Sequence, residues 1–385
     1  MLAAITAVSP LVMQMYLPAL PSLAGEFGAS ASAAQLTFSA FVFTVGPAQL
    51  IYGPIADAFG RRRTALLSLS ICLAGSVACA FADSMSALIG ARVLQAMGSA
   101  GGMVVSRAVL SDRYGYDGMA ARLSSVVAVI VMVPMIAPLA GGYVTEWFGW
   151  RMIFAITALY IAVVTTLAWA KLPETLKRVG PRESFVAGAA SVFRKPVFLA
   201  LALQSALSLS VFYAFIAIIP YVMENLLGLP PTAYGQFFMI LAGGYLFGTL
   251  TSSRVASRAG MLRMVQIGTL GAWLAAIALF LVTQSEPLGP WHLFLPMTFL
   301  AASNGLASPS MQSAAVLQTR RFAGTASGII GCSQQLFAGL AVQLVAIWGL
   351  DTPYPLVVFI VSATTILLLI TVLLSLSKAN LEQPH

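Results

Sequence analysis

The stretch Gly53–Arg62 reads GPIADAFGRR and joins two long apolar segments of the chain. Gly53 lets two helices approach closely, and Gly60 permits a tight turn before the next segment begins. Asp57 lies between these glycines, where it can pair with a guanidinium or with a helix N-terminus. A solvated loop that only sets membrane topology needs basic residues but no such aspartate. The pattern therefore predicts a charge-paired gating loop of Gly53, Asp57, Gly60, Arg61 and Arg62.

The composition around this loop is that of an integral membrane protein. Of 385 residues, 59% are hydrophobic and 8% are charged, whereas a soluble domain has about 25% charged residues. A spanning helix needs about 20 apolar residues, so the length accommodates twelve of them and leaves loops too short for a soluble catalytic domain. We expect an all-α membrane protein with twelve transmembrane helices, at about 2–24, 34–56, 64–82, 86–108, 122–145, 152–170, 197–223, 233–253, 264–283, 292–316, 324–348 and 356–376.

The basic residues predict the orientation in the membrane. With the N-terminus in the cytosol, all 20 Lys and Arg residues fall in cytosolic segments except Arg92, within the fourth span, and Arg151, at an outer helix end. Cytosolic loops carry the excess of Lys and Arg in membrane proteins. We therefore expect a multi-pass protein with both termini in the cytosol.

The longest cytosolic loop predicts a division into two halves. Residues 171–196 carry six of the basic residues and separate an N-terminal six-helix half, 1–170, from a C-terminal six-helix half, 197–385. The halves echo each other, because Ala58-Phe59-Gly60 and Arg63 correspond to Arg258-Ala259-Gly260 and Arg263. Two pseudo-symmetric halves around a midplane site are typical of secondary transporters.

Several function classes are excluded by the motifs. The net charge of +8 comes from short separated clusters and not from one basic stripe, which argues against a nucleic-acid partner. There is no G-x-x-x-x-G-K-[ST] phosphate loop. The two histidines, His292 and His385, are too far apart for a metal site, and no Ser/His/Asp set falls on one face. We expect no enzyme activity, no cofactor and no metal.

The fourth span has one polar face. Arg92 and Gln95 are followed at helical spacing by Ser99, Gly102 and Ser106. An arginine inside a span faces the bundle interior or a wet cavity and marks a pathway, although it can also snorkel to the outer interface. We place Arg92 and Gln95 in a cavity and coupling site, together with Gln14 and Tyr16 of the first span.

Four residues of the fifth span predict a bent helix in close contact with a neighbour. Pro134 and Pro138 each remove a backbone hydrogen bond, and Gly141 with Gly142 permits close packing. Ordinary enrichment of proline and glycine in membrane helices explains one such residue but hardly four in this short stretch.

Substrate-lining residues are less distinctive. Polar and aromatic side chains form a stripe on the seventh span and occur in the tenth and eleventh. They are equally compatible with helix–helix hydrogen bonds or packing. The candidates are Gln204, Ser208, Phe212, Phe215, Asn304 and Gln334.

Three motifs together resemble the major facilitator superfamily. Gly53–Arg62 resembles its loop motif G-x-x-x-D-[RK]-x-G-R-[RK], with Ala58 in place of the basic residue. Arg92–Gly98 is similar to its span-four motif, and Ala137–Gly142 resembles the span-five antiporter motif G-P-x-x-G-G, with Ala137 for the first glycine. Further stretches are similar to the bicyclomycin/chloramphenicol-resistance (Bcr/CflA) group of bacterial drug:proton antiporters: Met15–Pro21, Gln49–Pro54, Gly149–Arg151, Leu172–Thr175, Pro220-Tyr221 and Gly324–Ser327.

The resemblance implies a monomer in the bacterial inner membrane that expels small amphipathic compounds, antibiotics among them, in exchange for protons. It associates Arg92 with proton handling and the fifth span with a leak-resistant contact between the halves.

Gln14 departs from this group, which has aspartate immediately before Met-Tyr-Leu-Pro. An amide does not titrate, so proton coupling through a carboxylate of the first span is in doubt. Two alternatives therefore stay open beside the proton-linked exporter. One is a metabolite exporter or facilitator of the same fold with weak or no proton coupling, and the other is a membrane sensor or assembly partner that transports nothing.

Overall fold

The computed structural model describes the backbone of residues 1–176, 185–285, 287–319, 322–350 and 352–376. Within these helices, the described side chains exclude those of residues 111, 114–131, 185–187, 257 and 323. All regular elements in the described ranges are helical, as the sequence predicts.

The helices follow one another with short connections. They are α1 (Leu2–Gln14), a 3-10 turn (Leu17–Ala19), α2 (Leu20–Glu26), α3 (Ala31–Phe59), α4 (Arg61–Ala80), α5 (Met85–Phe148), α6 (Trp150–Lys171), α7 (Phe185–Phe193), α8 (Pro196–Tyr221), a π-helical turn (Val222–Leu226), α9 (Pro231–Ala259), α10 (Met261–Val282), α11 (Pro290–Leu317), α12 (Ala323–Trp348) and α13 (Tyr354–Leu376).

Nine segments of the described residues are long and apolar enough to cross a membrane. The regions predicted as the fifth, eighth and tenth spans are helical but are not among those nine. The count of twelve spans therefore stays a prediction.

α5 is assigned as one helix, although the sequence predicts a break at 112–118 between the fourth and fifth spans. A straight helix of its 64 residues would be about 96 Å long at 1.5 Å per residue. Arg151, however, donates from Nη2 to the carbonyl of Ala82 at 3.1 Å, and these two residues flank the two ends of α5. The ends are therefore adjacent, and α5 doubles back on itself.

The contacts of α1 show the same reversal. Ser106 of α5 donates to the carbonyl of Leu2 at the start of α1. Gly141, further along α5, packs on the carbonyl of Met15 beyond the end of α1. Between Ser106 and Gly141 the chain thus travels back along the length of α1. These two antiparallel lengths of α5 correspond to the predicted fourth and fifth spans.

The chain divides into two compact units. Unit 1 comprises Met1–Pro181 and Pro230–Gly235, and unit 2 comprises Arg182–Leu229 and Gln236–His385. The division at 181/182 falls within the predicted linker, 171–196. The first turn of α9, which the sequence assigns to the second half, groups with unit 1.

Glycines bring the helices of each unit into backbone contact. In unit 1, a β-carbon on Gly98 would overlap the backbone of Cys72, so α4 and α5 pack without a side chain between them. In unit 2, a β-carbon on Gly268 of α10 would press on the backbone of Ser303 in α11. Close backbone approach of this kind stabilises helix pairs in lipid, where apolar burial alone gives no preference for a partner.

The sequence echo between the halves extends to backbone conformation. Gly60 separates α3 from α4 with φ 98° and ψ 154°, and Gly260 separates α9 from α10 with φ 84° and ψ 151°. Positive φ values strain other residues, which explains why glycine stands at both positions.

Candidate functional site

The predicted gating loop is a charge cluster. Arg61, the first residue of α4, contacts Asp57 in the last turn of α3 at 2.5 Å and Asp112 of α5 at 2.9 Å. The guanidinium therefore holds three helices together, which is the pairing predicted for Asp57. Asp112 was not among the predicted site residues. No local motif signals it, because its role depends on α5 passing beside the start of α4.

A fourth side chain completes the cluster from the end of α6. Glu174 accepts hydrogen bonds from the backbone N–H groups of Arg61 at 2.9 Å and Arg62 at 3.2 Å. These are the free N–H groups at the start of α4, so the carboxylate caps that helix and complements its dipole. Arg62 in turn donates from its side chain to the carbonyl of Trp169 at 2.6 Å.

The capping carboxylate is charged at neutral pH. Partial burial alone would raise the pKa of Glu174, but hydrogen bonds from the backbone N–H groups of Leu176, Arg61, Arg62 and Thr175 outweigh burial and lower that pKa. Hydrogen bonds to the charged form favour ionisation. The sequence marks Glu174 only as part of the stretch Leu172–Thr175, because its contact with the gating loop is a tertiary one.

Arg92 lies in the core of unit 1, with a side chain that is 0% exposed. Its Nη1 donates to Gln95 Oε1 at 2.5 Å and to the carbonyl of Val12 at 3.4 Å. Its Nε donates to the carbonyl of Thr37 at 3.4 Å. Burial at this depth disfavours the alternative in which Arg92 snorkels to the outer interface.

Aromatic rings enclose the same guanidinium. Its Cζ lies 4.3 Å from the ring centroid of Phe41, 4.5 Å from that of Tyr16 and 5.8 Å from that of Phe154. A cation within about 6 Å of a ring centroid is attracted by the ring quadrupole. The cage therefore replaces part of the hydration that Arg92 loses.

No carboxylate of the described residues pairs with Arg92. The ion pairs in this part of the chain are Arg61 with Asp57 and Asp112, and Arg151 with Glu26. The Arg92 Nη2 atom is buried and has no hydrogen-bond partner there. The buried cation is thus surrounded by neutral dipoles, among them Gln95 and Tyr16.

Gln14 does not take part in this arrangement. It is 3% exposed, and its Oε1 has no hydrogen-bond partner among the described residues. No hydrogen bond joins the Gln14 side chain to Arg92, whose hydrogen-bond partners in the described chain are Gln95 and the carbonyls of Val12 and Thr37.

The predicted close packing of the fifth span is present in unit 1. A β-carbon on Gly141 would overlap the carbonyl of Met15, and one on Gly142 would lie 2.8 Å from the carbonyl of Pro231 in the first turn of α9. Pro138 and Pro134 lie inside α5, about one and two turns before this contact respectively.

Two of the predicted substrate-lining residues contact neighbouring helices of unit 2. Gln204 is fully buried and donates to Thr371 Oγ1 at 2.6 Å and to the carbonyl of Leu367 at 3.2 Å. Phe215 is buried against Phe294, with ring centroids 5.4 Å apart. Helix–helix contact therefore accounts for these two residues in this structure.

The other four candidates are buried or half-buried. Ser208 and Asn304 are buried, whereas Phe212 and Gln334 are half-buried. Phe212 packs edge-on against Phe238 of α9, with centroids 6.4 Å apart. A role in binding substrate stays a prediction for all four.

Comparison with known proteins identifies the protein family. A family model described as Major Facilitator Superfamily matches residues 2–342, so the chain belongs to the major facilitator superfamily of membrane transporters. The predicted all-α fold of this superfamily is thereby confirmed.

Individual relatives indicate a particular group within this superfamily. The chain is 26% identical over 351 residues to a bicyclomycin resistance protein homolog of Haemophilus influenzae, covering 90% of this chain and 88% of that protein. It is 28% identical over 364 residues to a chloramphenicol resistance protein of Pseudomonas aeruginosa, covering 92% and 85%. The resemblance to the bicyclomycin/chloramphenicol-resistance group is confirmed.

The fold is shared with transporters of distant sequence. A crystal structure of the peptide transporter POT in complex with sulfate superimposes with a TM-score of 0.81 at 14% identity, covering 99% of this chain and 94% of that one. The chain is thus a multi-pass membrane transporter by fold and family.

Proposed function

We propose that this protein exports small amphipathic compounds, antibiotics among them, across the bacterial inner membrane by alternating access. The observation that carries the proposal is the guanidinium of Arg92, fully buried inside a candidate span with no carboxylate partner in the described residues. An ionisable residue at such a position marks a substrate or ion pathway. Packing alone does not account for the cost of burying it.

The cluster at the start of α4 supports a conformational cycle. Arg61 joins α3, α4 and α5 through Asp57 and Asp112, and Glu174 adds the end of α6. Charge pairs of this kind break and re-form when helices move as bodies. The cluster therefore stabilises one end state of transport.

We further propose that the protein acts as a monomer with both termini in the cytosol and that protons are its coupling partner. The names of the relatives motivate the choice of bicyclomycin and chloramphenicol as first test compounds.

The amide of Gln14 favours a second candidate, a metabolite exporter or facilitator of the same fold with weak proton coupling. The first span offers no titratable carboxylate at that position. This candidate predicts substrate flux that is insensitive to an imposed pH gradient.

Susceptibility profiling tests the export function. A drug-sensitive bacterial host should tolerate more bicyclomycin, chloramphenicol or another amphipathic antibiotic when it expresses the wild-type chain. The matched control is Arg92→Ala at equal membrane abundance, which should give no protection. Equal susceptibility of the two hosts across a broad panel would remove the export proposal.

A further inference from the structure

The charge balance around Arg92 restricts which compounds unit 1 can accept. The guanidinium carries a full positive charge, yet its contacts are an amide oxygen, two backbone carbonyls and three ring faces. These groups stabilise a cation locally, but none of them carries a negative charge. The core of unit 1 therefore has a net positive potential.

No carboxylate of the described residues forms an ion pair with Arg92: Asp83 and Glu146 are exposed, Glu224 belongs to unit 2, and the other four are engaged elsewhere. Asp57 and Asp112 are paired with Arg61 at the start of α4, and Glu26 at the end of α2 is paired with Arg151 of α6. Glu174 is committed to the N–H groups of α4. Each of these carboxylates neutralises a charge or dipole of its own.

The guanidinium also retains binding capacity. Nη2 is buried with no hydrogen-bond partner in the described residues, although a guanidinium offers five N–H donors in a planar fork that fits a carboxylate. A buried donor without an acceptor is costly, and an anionic ligand would remove that cost and the uncompensated charge together.

We propose that the site around Arg92 selects compounds carrying an anionic group, such as a carboxylate on an apolar body, and disfavours organic cations. The inference rests on the proposed export function and specifies its substrate class. Two unit charges about 10 Å apart, at an effective dielectric constant of about 20, interact strongly enough to change affinity roughly tenfold. The preference therefore acts at this range even while the aromatic cage encloses the guanidinium.

Three probes of one skeleton isolate the effect of charge. These are 4-phenylbutyrate, 4-phenylbutylamine and 4-phenylbutanol, which are anionic, cationic and neutral at pH 7. Their binding to the purified full chain in a non-ionic detergent is measured by isothermal titration calorimetry, with empty micelles as the baseline. We expect 4-phenylbutyrate to bind at least about tenfold more tightly than the amine, with the alcohol between them.

A counter-charge at Arg92 should abolish this order. Gln95→Glu places a carboxylate where Gln95 Oε1 now accepts from Nη1, without removing the guanidinium. The matched control is Gln49→Glu, which adds the same charge beside Met103. Met103 lies eleven residues beyond Arg92 along α5, about 16 Å away by helical rise. The anion preference should disappear in Gln95→Glu and persist in Gln49→Glu.

The outcomes separate the two proposals. An amine that binds the wild type as tightly as the butyrate overturns the anion site, and so does a preference that survives Gln95→Glu. Binding of none of the three probes also overturns it, while protection in the susceptibility assay would leave export intact. Should Gln95→Glu fail to fold, Arg92→Gln and the three wild-type affinities decide the question.

Discussion

The carboxylate of Glu174 lies in the space beside Gly60 that the β-carbon of any other residue would occupy. Gly60 adopts φ 98°, a conformation that strains side-chain-bearing residues. The absent side chain thus has two consequences, since it permits the turn between α3 and α4 and it admits the cap of α4.

Gly60→Ala should therefore slow transport by displacing Glu174 from the start of α4. With ψ 154°, this positive φ lies in a region that costs a residue bearing a side chain about 1–3 kcal/mol by itself. Gly149→Ala supplies the matched control, because Gly149 has φ 80° and no atom within 4 Å of a β-carbon. Transport per molecule in the membrane should fall further in Gly60→Ala than in Gly149→Ala.

A double-mutant cycle tests whether Gly60→Ala acts by displacing Glu174. Glu174→Gln removes the charge of the cap, and its effect on transport should not add to that of Gly60→Ala, since both remove the same contact. Additive effects would show that the two residues act independently.

Asp57→Asn should slow transport while leaving membrane abundance unchanged. Arg61 keeps Asp112 at 2.9 Å, so the fold survives, but the end state with both ion pairs loses about 1 kcal/mol, enough to shift a two-state equilibrium about fivefold. The measurement is initial transport rate against abundance. Wild-type rates in this variant would reduce the loop to a topology signal.

Arg92→Ala should abolish transport, and Arg92→Lys should retain little. A lysine ammonium is a point charge without the planar fork, so it cannot donate to Gln95, Val12 and Thr37 from the positions that the guanidinium occupies. Substrate flux in proteoliposomes measures both. Full activity of the lysine variant would mean that only the charge of Arg92 matters.

Gln14→Asp should increase the dependence of transport on a pH gradient. Gln14 is buried and its Oε1 is unpartnered in the described chain, so an aspartate there would add a titratable carboxyl to the first span. Flux is measured with and without a gradient for wild type and variant. Strong dependence in the wild type that is lost on Glu26→Gln would place the proton carrier at Glu26 instead. Strong dependence of the wild type that survives both Glu26→Gln and Asp112→Asn would contradict the expectation that coupling is weak because position 14 has no carboxyl.

Cysteine labelling tests the orientation. On a background lacking Cys72, Cys79 and Cys332, a membrane-impermeant reagent applied outside should label a cysteine at position 286 and spare positions 178 and 380. These three positions lie outside the described residues, and their assignment rests on the distribution of Lys and Arg. External labelling of position 178 would overturn the topology.

The sequence by itself determined the class of fold and which charged and polar residues form local contacts. Long apolar segments leave little choice other than helices in lipid, because each must satisfy its own backbone hydrogen bonds. Local spacing also placed Arg92 with Gln95, one helical turn away on the same face. Gly53–Arg62 indicated that Asp57 would pair with a guanidinium, which is a contact four residues along the chain.

The tertiary structure decided which distant groups complete each site. Asp112 reaches Arg61 and Glu174 reaches Gly60 only because α5 and the end of α6 pass beside the start of α4, and no local pattern encodes that approach. The partners of Arg92 were decided in the same way, since the Tyr16 ring packs on the guanidinium and Gln14 makes no hydrogen bond to it. Periodicity states which residues share a face, but the packing of neighbouring helices determines what that face meets.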